Sequence, residues 1–91
     1  MLEVLVVSPR EVLFHGQARR VIVPGEQGVM EVLPFHRPLL SRLLPGVVVV
    51  DEALIPIHRG VVKVAHDHVT VIVEQDLSVA SPPTVPSPSS G

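Results

Sequence analysis

Short apolar runs separated by polar or turn-forming residues recur along most of the chain. The clearest runs are Leu2 to Val7, Val47 to Val50, Val61 to Val64 and Val69 to Val73. β-Branched side chains lose χ1 freedom in a helix and pack well on a pleated sheet. The runs are bounded by turn-forming pairs and triplets: Ser8-Pro9, His15-Gly16, Pro24-Gly25, Pro45-Gly46, Arg59-Gly60 and His66-Asp67-His68. The pattern predicts an all-β fold, an antiparallel sandwich or barrel of roughly seven or more short strands without a convincing helix.

The details of each run predict its place in the sheet. Alternation of polar and apolar residues from Lys63 to Ala65 and from Val69 to Glu74 predicts strands with one face in the core. Val47 to Val50 lacks alternation, which predicts a strand covered on both faces. Pro56 cannot donate to a neighbouring strand, so its run predicts an edge strand or a bulge. The segment from Pro38 to Leu44 is the only rival for a helix, and it is too short to carry much stability.

A hairpin followed by a shaped loop is predicted from Val21 to Leu40. The turn of the hairpin is Pro24-Gly25-Glu26-Gln27-Gly28. Pro34 and Pro38 then lie on either side of His36, and two prolines so close together exclude a regular helix or a central strand. Such loops carry function more often than the strands that hold them. An ordinary connection rich in Gly and Pro is the alternative.

The chain has 91 residues, which suffices for one small domain with one core. We assign residues 1–77 to a β-sandwich domain. We expect residues 78–91, which are rich in Pro and Ser, to be a disordered tail, because they offer too little apolar surface to offset their ordering entropy.

Composition removes several classes of function. Seven basic and nine acidic residues give no strong field, and the two Phe residues, without Tyr or Trp, offer few stacking platforms, so nucleic-acid binding is disfavoured. The absence of cysteine removes disulfides and zinc-cysteine sites. Neither a bilayer-spanning apolar run of about 18 to 20 residues nor a secretory signal is present. We therefore expect an intracellular soluble protein, for which attachment to a membrane complex through another protein stays open.

The strongest chemical candidate is a metal site. Five histidines occur in the chain, and the pattern Gly60-x5-His66-x-His68 with Glu74 downstream resembles part of the metal motif of cupins. Glu74 lies one residue beyond the usual spacing, a second motif is absent, and His66-Asp67-His68 lies where a hairpin turn is needed. Exposed turn histidines are the expectation, and a small cupin-like metal-binding protein stays the alternative.

No catalytic site is predicted. Ser8 and Ser41 lack the strained Gly-x-Ser-x-Gly setting of an activated nucleophile. The acidic pair Asp51-Glu52 has the pattern of a solvated strand end. Gly25 to Gly28 is too short for a phosphate-binding loop and lacks its Lys and Ser/Thr. We expect no metal and no cofactor.

A set of motifs runs in fixed order from Leu2 to Asp76. The motifs are Leu5-Val6-Val7-Ser8-Pro9, Phe14-x-Gly16, Pro24-Gly25-x-x-Gly28, Val32-Leu33-Pro34-x-His36-x-Pro38-Leu39-Leu40, Leu44-Pro45-Gly46, Gly60-Val61-x-x-Val64 and Val69-Thr70-Val71-Ile72-Val73-Glu74. In this order and spacing they resemble the amino-terminal domain of the epsilon subunit of F-type ATP synthases. An unrelated β-sandwich interaction module is a further alternative.

The resemblance implies a flattened β-sandwich of about ten strands that packs against the gamma subunit and touches the c-ring. It implies a non-catalytic rotor subunit of the central stalk, which couples ion-driven rotation to ATP synthesis. Such a subunit is peripheral on the cytoplasmic face of the bacterial inner membrane, or in the equivalent place in an organelle. The residues that it implies for contact with the c-ring are Glu26, Gly28, Val29, Met30, Glu31, His36, Arg37 and Pro38. The residues that it implies for shaping the loops are Pro24, Gly25, Pro34, Pro45 and Gly46.

The sequence departs from the family pattern at several places. An acidic residue is common right after the second turn glycine and a glycine two positions later, whereas Val29 and Glu31 stand there. The candidate carboxylates for the ring are therefore Glu26 and Glu31. Arg37 occupies a position that is usually small. Most members continue into a carboxy-terminal helical hairpin that binds ATP or inhibits the catalytic head. Since the Pro/Ser tail stands in its place, we expect coupling without ATP binding.

Overall fold

The computed structural model describes residues 1–75. Residues 76–91, and with them the predicted domain boundary at residue 77 and the predicted disordered tail, lie outside the described residues. Nine strands form within the described part. They are β1 (Leu2–Val7), β2 (Val12–Ala18), β3 (Val21–Gly25), β4 (Gly28–Val32), β5 (Leu39–Leu43), β6 (Gly46–Val50), β7 (Ala53–Ile57), β8 (Arg59–Ala65) and β9 (His68–Glu74). The all-β prediction is confirmed. No helix among these residues is long and apolar enough to span a membrane.

The strands form one continuous hydrogen-bonded sheet that folds over into two layers. Layer one has the order β2-β1-β9-β8-β5, and layer two contains β3, β6 and β7 with β4 on the free side of β3. The chain passes from one layer to the other between β5 and β6, through Leu44 and Pro45. At this corner the Leu44 N–H donates to the Pro24 carbonyl at 2.8 Å. A strand that changes sheets at such a bend is a common corner of a sandwich.

One strand pair runs in the direction that the sequence pattern did not predict. β1 and β9 are parallel, with Val4 opposite Val69 and Val6 opposite Val71, whereas the other paired strands are antiparallel. Hairpin turns force antiparallel pairing between neighbours in sequence, but β1 and β9 are joined by no turn, so either direction is open to them. This pair places the first strand inside layer one, between β2 and β9.

The core lies between the layers and is made almost wholly of aliphatic side chains. β8 and β9 alternate between buried and more exposed positions, as predicted. The buried apolar residues are Leu2, Val4, Val6, Ala18, Val21, Val23, Val32, Leu43, Val48, Val50, Ile55, Ile57, Val62, Val64, Val69, Val71 and Val73. Among the described residues no polar or charged side chain is buried. Burial of apolar area at roughly 25 cal/mol per Å² is thus the main stabilising contribution.

Two strand predictions have opposite outcomes. Pro56 lies in β7 at one end of the sheet order, so the prediction of an edge strand is confirmed. The prediction that Val47 to Val50 is covered on both faces is wrong for the isolated chain. Val48 and Val50 are buried, but Val47 is exposed. The missing alternation therefore reports an apolar outer surface rather than a doubly covered strand. The segment Leu39–Leu43 is a strand and not the rival helix.

Asp51 braces the link between the two layers. It lies at positive φ in the turn between β6 and β7. Its Oδ1 accepts hydrogen bonds from the Arg19 N–H at 2.9 Å and from the Arg20 N–H at 3.2 Å, and its own N–H donates to the Arg20 carbonyl. These bonds hold the segment between β2 and β3, which crosses from layer one to layer two. The carboxylate that the sequence pattern marked as a solvated strand end therefore has a structural role.

We expect Asp51→Ala to destabilise the domain by about 1–3 kcal/mol, because two backbone donors lose their acceptor and alanine disfavours positive φ. Asp51→Asn keeps a side-chain oxygen and tolerates this backbone, so its loss should be clearly smaller. Urea unfolding midpoints of the two variants measure the difference. Equal midpoints for Asp51→Ala and the unchanged chain would contradict the bracing role.

Candidate functional site

Layer two presents an apolar surface to the outside, which we call the outer apolar face. Its centre is a row formed by Ile22, Val49 and Leu54, which lie opposite one another on β3, β6 and β7. Leu54 is 69% exposed. The remaining members of the face are Pro24, Val29, Val47 and Pro56, which occupy the other outward positions of layer two.

Glu31 is the single charged residue among the outward-facing strand positions of layer two. It lies opposite Ile22 and forms an exposed ion pair with Arg20 at 3.4 Å. An exposed pair of this kind contributes about 0–1 kcal/mol, so its presence adds little stability. Contiguous apolar surface on a soluble domain marks a site of interaction with another macromolecule. The outer apolar face is therefore the first candidate site.

The second candidate site is the edge of layer two formed by β4. Among the described residues, β4 pairs only with β3. Gly25 and Gly28 flank the two-residue turn and form a hydrogen-bonded pair, and hydrogen-bonded and non-bonded pairs alternate along a hairpin. The backbone N–H and C=O groups of Val29 and Glu31 consequently point away from β3. This edge has unpaired backbone donors and acceptors that a partner can use.

The residues that the sequence predicted for ring contact lie along this edge and beyond both of its ends. Glu26 lies in the turn before Gly28, whereas His36, Arg37 and Pro38 follow the opposite end of β4. Four strand steps of about 3.4 Å separate those two ends by roughly 14 Å. The predicted residues are therefore not one cluster but a strip with a polar turn at one end and a loop at the other.

The residues predicted to shape the loops lie at the bends. Gly25 is buried, and a Cβ there would lie 2.7 Å from Met30 Cε. A Cβ at Gly46 would lie 3.0 Å from Pro24 Cβ, so the corner packs tightly against β3. Pro45 lies within the corner itself, between β5 and β6. A side chain at either glycine would therefore require Met30 or Pro24 to shift.

The loop from Leu33 to Pro38 begins with a tight turn. The His36 N–H donates to the Leu33 carbonyl at 3.1 Å, which places Pro34 and Phe35 at the two central positions. Phe35 has a φ of 67°. Proline followed by a residue at positive φ is typical of a type II turn. The His36 side chain is held locally, since its Nδ1 lies 2.7 Å from the Arg37 carbonyl.

Two residues of this region were missed by the sequence reasoning. Phe35 is 92% exposed, and its N–H donates to Asp67 Oδ1 at 2.7 Å. The signal for Phe35 was available, because a bulky residue after Pro34 stands where type II turns prefer Gly or Asn. No sequence signal points to Asp67, which is far along the chain and approaches the loop only in the folded domain.

The cupin-like alternative is not supported. His66 and Asp67 form the two-residue turn between β8 and β9, both at positive φ, as the turn prediction required. Six strand steps of about 3.4 Å separate His68 from Glu74, or roughly 20 Å. Glu74 instead pairs with Arg59 and, through a hydrogen bond and its charge, raises the pKa of Arg59. Within the described residues, no group of three or more His, Cys, Asp or Glu side chains is placed to hold a metal ion.

Comparison with known proteins identifies the domain. The family described as "ATP synthase, Delta/Epsilon chain, beta-sandwich domain" matches residues 1–78. The chain belongs to this family. The resemblance inferred from the sequence motifs is thereby confirmed, and the outer apolar face and the β4 edge are surfaces of a delta/epsilon-type β-sandwich.

Bacterial relatives of this delta/epsilon-type domain carry the epsilon name. The ATP synthase epsilon chain 2 of Burkholderia orbicola is 41% identical over 78 residues, which cover 79% of this chain and 51% of the relative. The ATP synthase epsilon chain of Bordetella parapertussis is 38% identical over 84 residues, which cover 87% of this chain and 60% of the relative. The chain thus spans about half to three fifths of the length of these relatives.

Solved structures share the fold of this domain. A chain of the Euglena gracilis mitochondrial ATP synthase (OSCP/F1/c-ring) matches with a TM-score of 0.68 and 16% identity, covering 79% of this chain and 49% of that one. A chain of the Tetrahymena thermophila mitochondrial ATP synthase (central stalk and c-ring) matches with a TM-score of 0.63 and 17% identity, covering 92% and 73%. At such low identity the likeness shows the β-sandwich fold.

Proposed function

We propose that the chain is a non-catalytic subunit of the central stalk of an F-type ATP synthase, which couples rotation of the c-ring to ATP synthesis in the catalytic head. The observation that carries this proposal is the outer apolar face on a domain of the delta/epsilon family. A domain of this family with an uncovered apolar outer face has the kind of surface that binds another protein.

Two separate surfaces suit two partners. The outer apolar face offers Ile22, Val49 and Leu54 in one row, which suits close packing against the gamma subunit. The β4 edge, with Glu26 before it and the loop of His36 and Arg37 after it, is more polar. Polar groups and open backbone donors suit the polar loops of the c-ring. Contact with both partners would place the domain between stalk and ring.

The architecture suits a mechanical role. The strands form one continuous ladder, and the layers are locked by an aliphatic core and by the Asp51 brace. A domain built this way resists deformation, because close-packed interiors have low compressibility and transmit strain. Loops that are already ordered also lose less entropy when they bind. The proposed subunit is a rigid connecting element, and ATP synthesis takes place in the catalytic subunits.

The same proposal sets the location and the expected chemistry. The chain is peripheral, held through the complex on the cytoplasmic face of the bacterial inner membrane or at the equivalent place in an organelle. The two relatives compared above are bacterial, and the two solved structures compared above are mitochondrial ATP synthases. It acts as an accessory subunit rather than as an enzyme.

Reconstitution tests the proposed function. Membrane vesicles that contain the cognate ATP synthase without this subunit should hydrolyse ATP with poor proton pumping, and adding the full chain should restore pumping per ATP hydrolysed. Fluorescence quenching of a pH-sensitive dye reports pumping, and phosphate release reports hydrolysis. A pumping ratio that is the same with and without the chain would contradict the coupling role.

A further inference from the structure

Phe35 is held in a backbone conformation that suits its side chain poorly. It occupies the third position of the turn from Leu33 to His36, with a φ of 67°. The Cβ of an L residue crowds the following carbonyl oxygen in this region, so turns of this type usually have Gly or Asn there. An aromatic residue at this position persists only where the surrounding structure holds it.

Asp67 supplies that hold. Its Oδ1 accepts a hydrogen bond from the Phe35 N–H at 2.7 Å, and its carbonyl accepts one from the Glu3 N–H at 2.8 Å. Asp67 is itself fixed in the two-residue turn between β8 and β9, with a φ of 61°. Three segments distant in sequence thus meet at one residue. The loop that carries Phe35 is anchored to the frame of layer one.

The Phe35 ring contributes nothing to the core of its own domain. It is 92% exposed, and the residues packed against the core include Phe14 but not Phe35. Arg37, two residues on, takes part in neither of the ion pairs within residues 1–75, which join Arg20 to Glu31 and Arg59 to Glu74. A strained backbone under an exposed ring, with a cation two residues along the chain that has no ion-pair partner within residues 1–75, points to a binding role. Buried aromatic and arginine side chains are the commonest energetic anchors of protein interfaces.

We propose that Phe35 is the aromatic anchor by which the domain docks on the c-ring and that Asp67 is the positioning residue that presents it. This inference rests on the proposed function. An exposed aromatic ring near a guanidinium along the chain suits a binding socket with an apolar centre and acceptor oxygens at its rim, which is the chemistry that we expect of the partner surface. Phe35 follows the last buried residue of β4, Val32, and lies at the β8–β9 turn. It therefore projects from an end of the sandwich rather than from the outer apolar face assigned to gamma.

Affinity measurements with separate partners test this inference. The full chain is immobilised, and its binding to the detergent-solubilised cognate c-ring and to the cognate gamma subunit is measured by biolayer interferometry. Phe35→Gly removes the ring and suits the positive φ, so the thermal midpoint should stay equal or rise. We expect its affinity for the c-ring to fall roughly 30-fold, the size of a hot-spot loss, and its affinity for gamma to stay unchanged.

A pair of variants at Asp67 tests the positioning role. Asp67→Gly keeps the backbone of the turn and removes the acceptor, so c-ring affinity should fall by roughly 10-fold and amide exchange at Phe35 should accelerate. Asp67→Asn keeps a side-chain oxygen in reach of the Phe35 N–H and should retain both properties. Slow exchange at Phe35 in Asp67→Gly, or equal c-ring affinities for the two variants, would overturn the role of Asp67.

Measuring c-ring binding and gamma binding separately distinguishes failure of this inference from failure of the proposed function. If the unchanged chain binds both partners and Phe35→Gly loses affinity only for the c-ring, the result supports Phe35 as the aromatic anchor. If Phe35→Gly binds the c-ring as tightly as the unchanged chain, the anchor is wrong while the proposed function stands. If Phe35→Gly loses gamma instead, the assignment to the ring is wrong. If the unchanged chain binds neither partner, the proposed function and the anchor fail together.

Discussion

Replacing Gly60 with valine is expected to destabilise the domain by about 3 kcal/mol or more, which is the upper range for overpacking. Gly60 lies in β8, opposite Val73 of β9 and Leu43 of β5. A Cβ at this position would lie 2.4 Å from the Ile72 carbonyl oxygen and 3.1 Å from Val73 Cα. Backbone atoms of a paired strand cannot retreat without opening the ladder. A side chain at residue 60 must therefore push β9 away from β8.

Differential scanning calorimetry measures this effect. At roughly 4–8 °C per kcal/mol for a domain of this size, the midpoint should fall by about 12–24 °C or more. Gly16→Ala is the matched control, because the nearest atom to a Cβ there is a Phe14 ring carbon at 3.8 Å, which is an ordinary contact. If the thermal midpoint of Gly60→Val were within about a degree of that of the unchanged chain, the close approach between Gly60 and the β9 backbone would be refuted.

Replacing Leu54 with aspartate should strongly weaken binding to gamma and leave the domain folded. Leu54 is exposed and faces away from the core, at the centre of the outer apolar face beside Val49. In the free chain the new carboxylate would stay in water. In the complex it would be buried against apolar surface without a partner, which costs several kcal/mol. A loss of affinity for gamma of roughly 100-fold or more is the expected result.

Isothermal titration with the purified gamma subunit measures this loss. Lys63→Glu is the control: Lys63 is exposed in β8, on layer one, and it changes charge away from the outer apolar face. Its affinity for gamma should match that of the unchanged chain. The assignment of the face would be wrong if Leu54→Asp bound gamma normally, or if both variants lost affinity equally.

The sequence predicted most of the fold because local rules decide most of it. The turn at His66 and Asp67, the edge position of Pro56 and the hairpin turn before Gly28 all follow from residues acting on their own backbone. The parallel pairing of β1 with β9 could not be predicted this way. It joins the two ends of the described chain, and no turn between them reveals its direction.

The surfaces were harder to predict than the strands. An apolar run such as Val47 to Val50 is compatible with a strand buried on both faces or with a strand that has one apolar face on the surface. Only the fold shows that its outer face is exposed. The hydrogen bond from the Phe35 N–H to Asp67 joins two segments that are distant in sequence. The sequence motifs identified the family correctly. Contacts between segments that are distant in sequence could be seen only in the structure.

Co-purification of the full chain with its cognate gamma subunit and c-ring tests the central claim most directly. The three components, expressed together and extracted in mild detergent, should elute as one complex that contains the chain together with gamma and the c-ring. Leu54→Asp should reduce the amount of chain in that complex, whereas Lys63→Glu should not. Elution of the unchanged chain apart from both gamma and the c-ring would contradict its assignment as a rotor subunit.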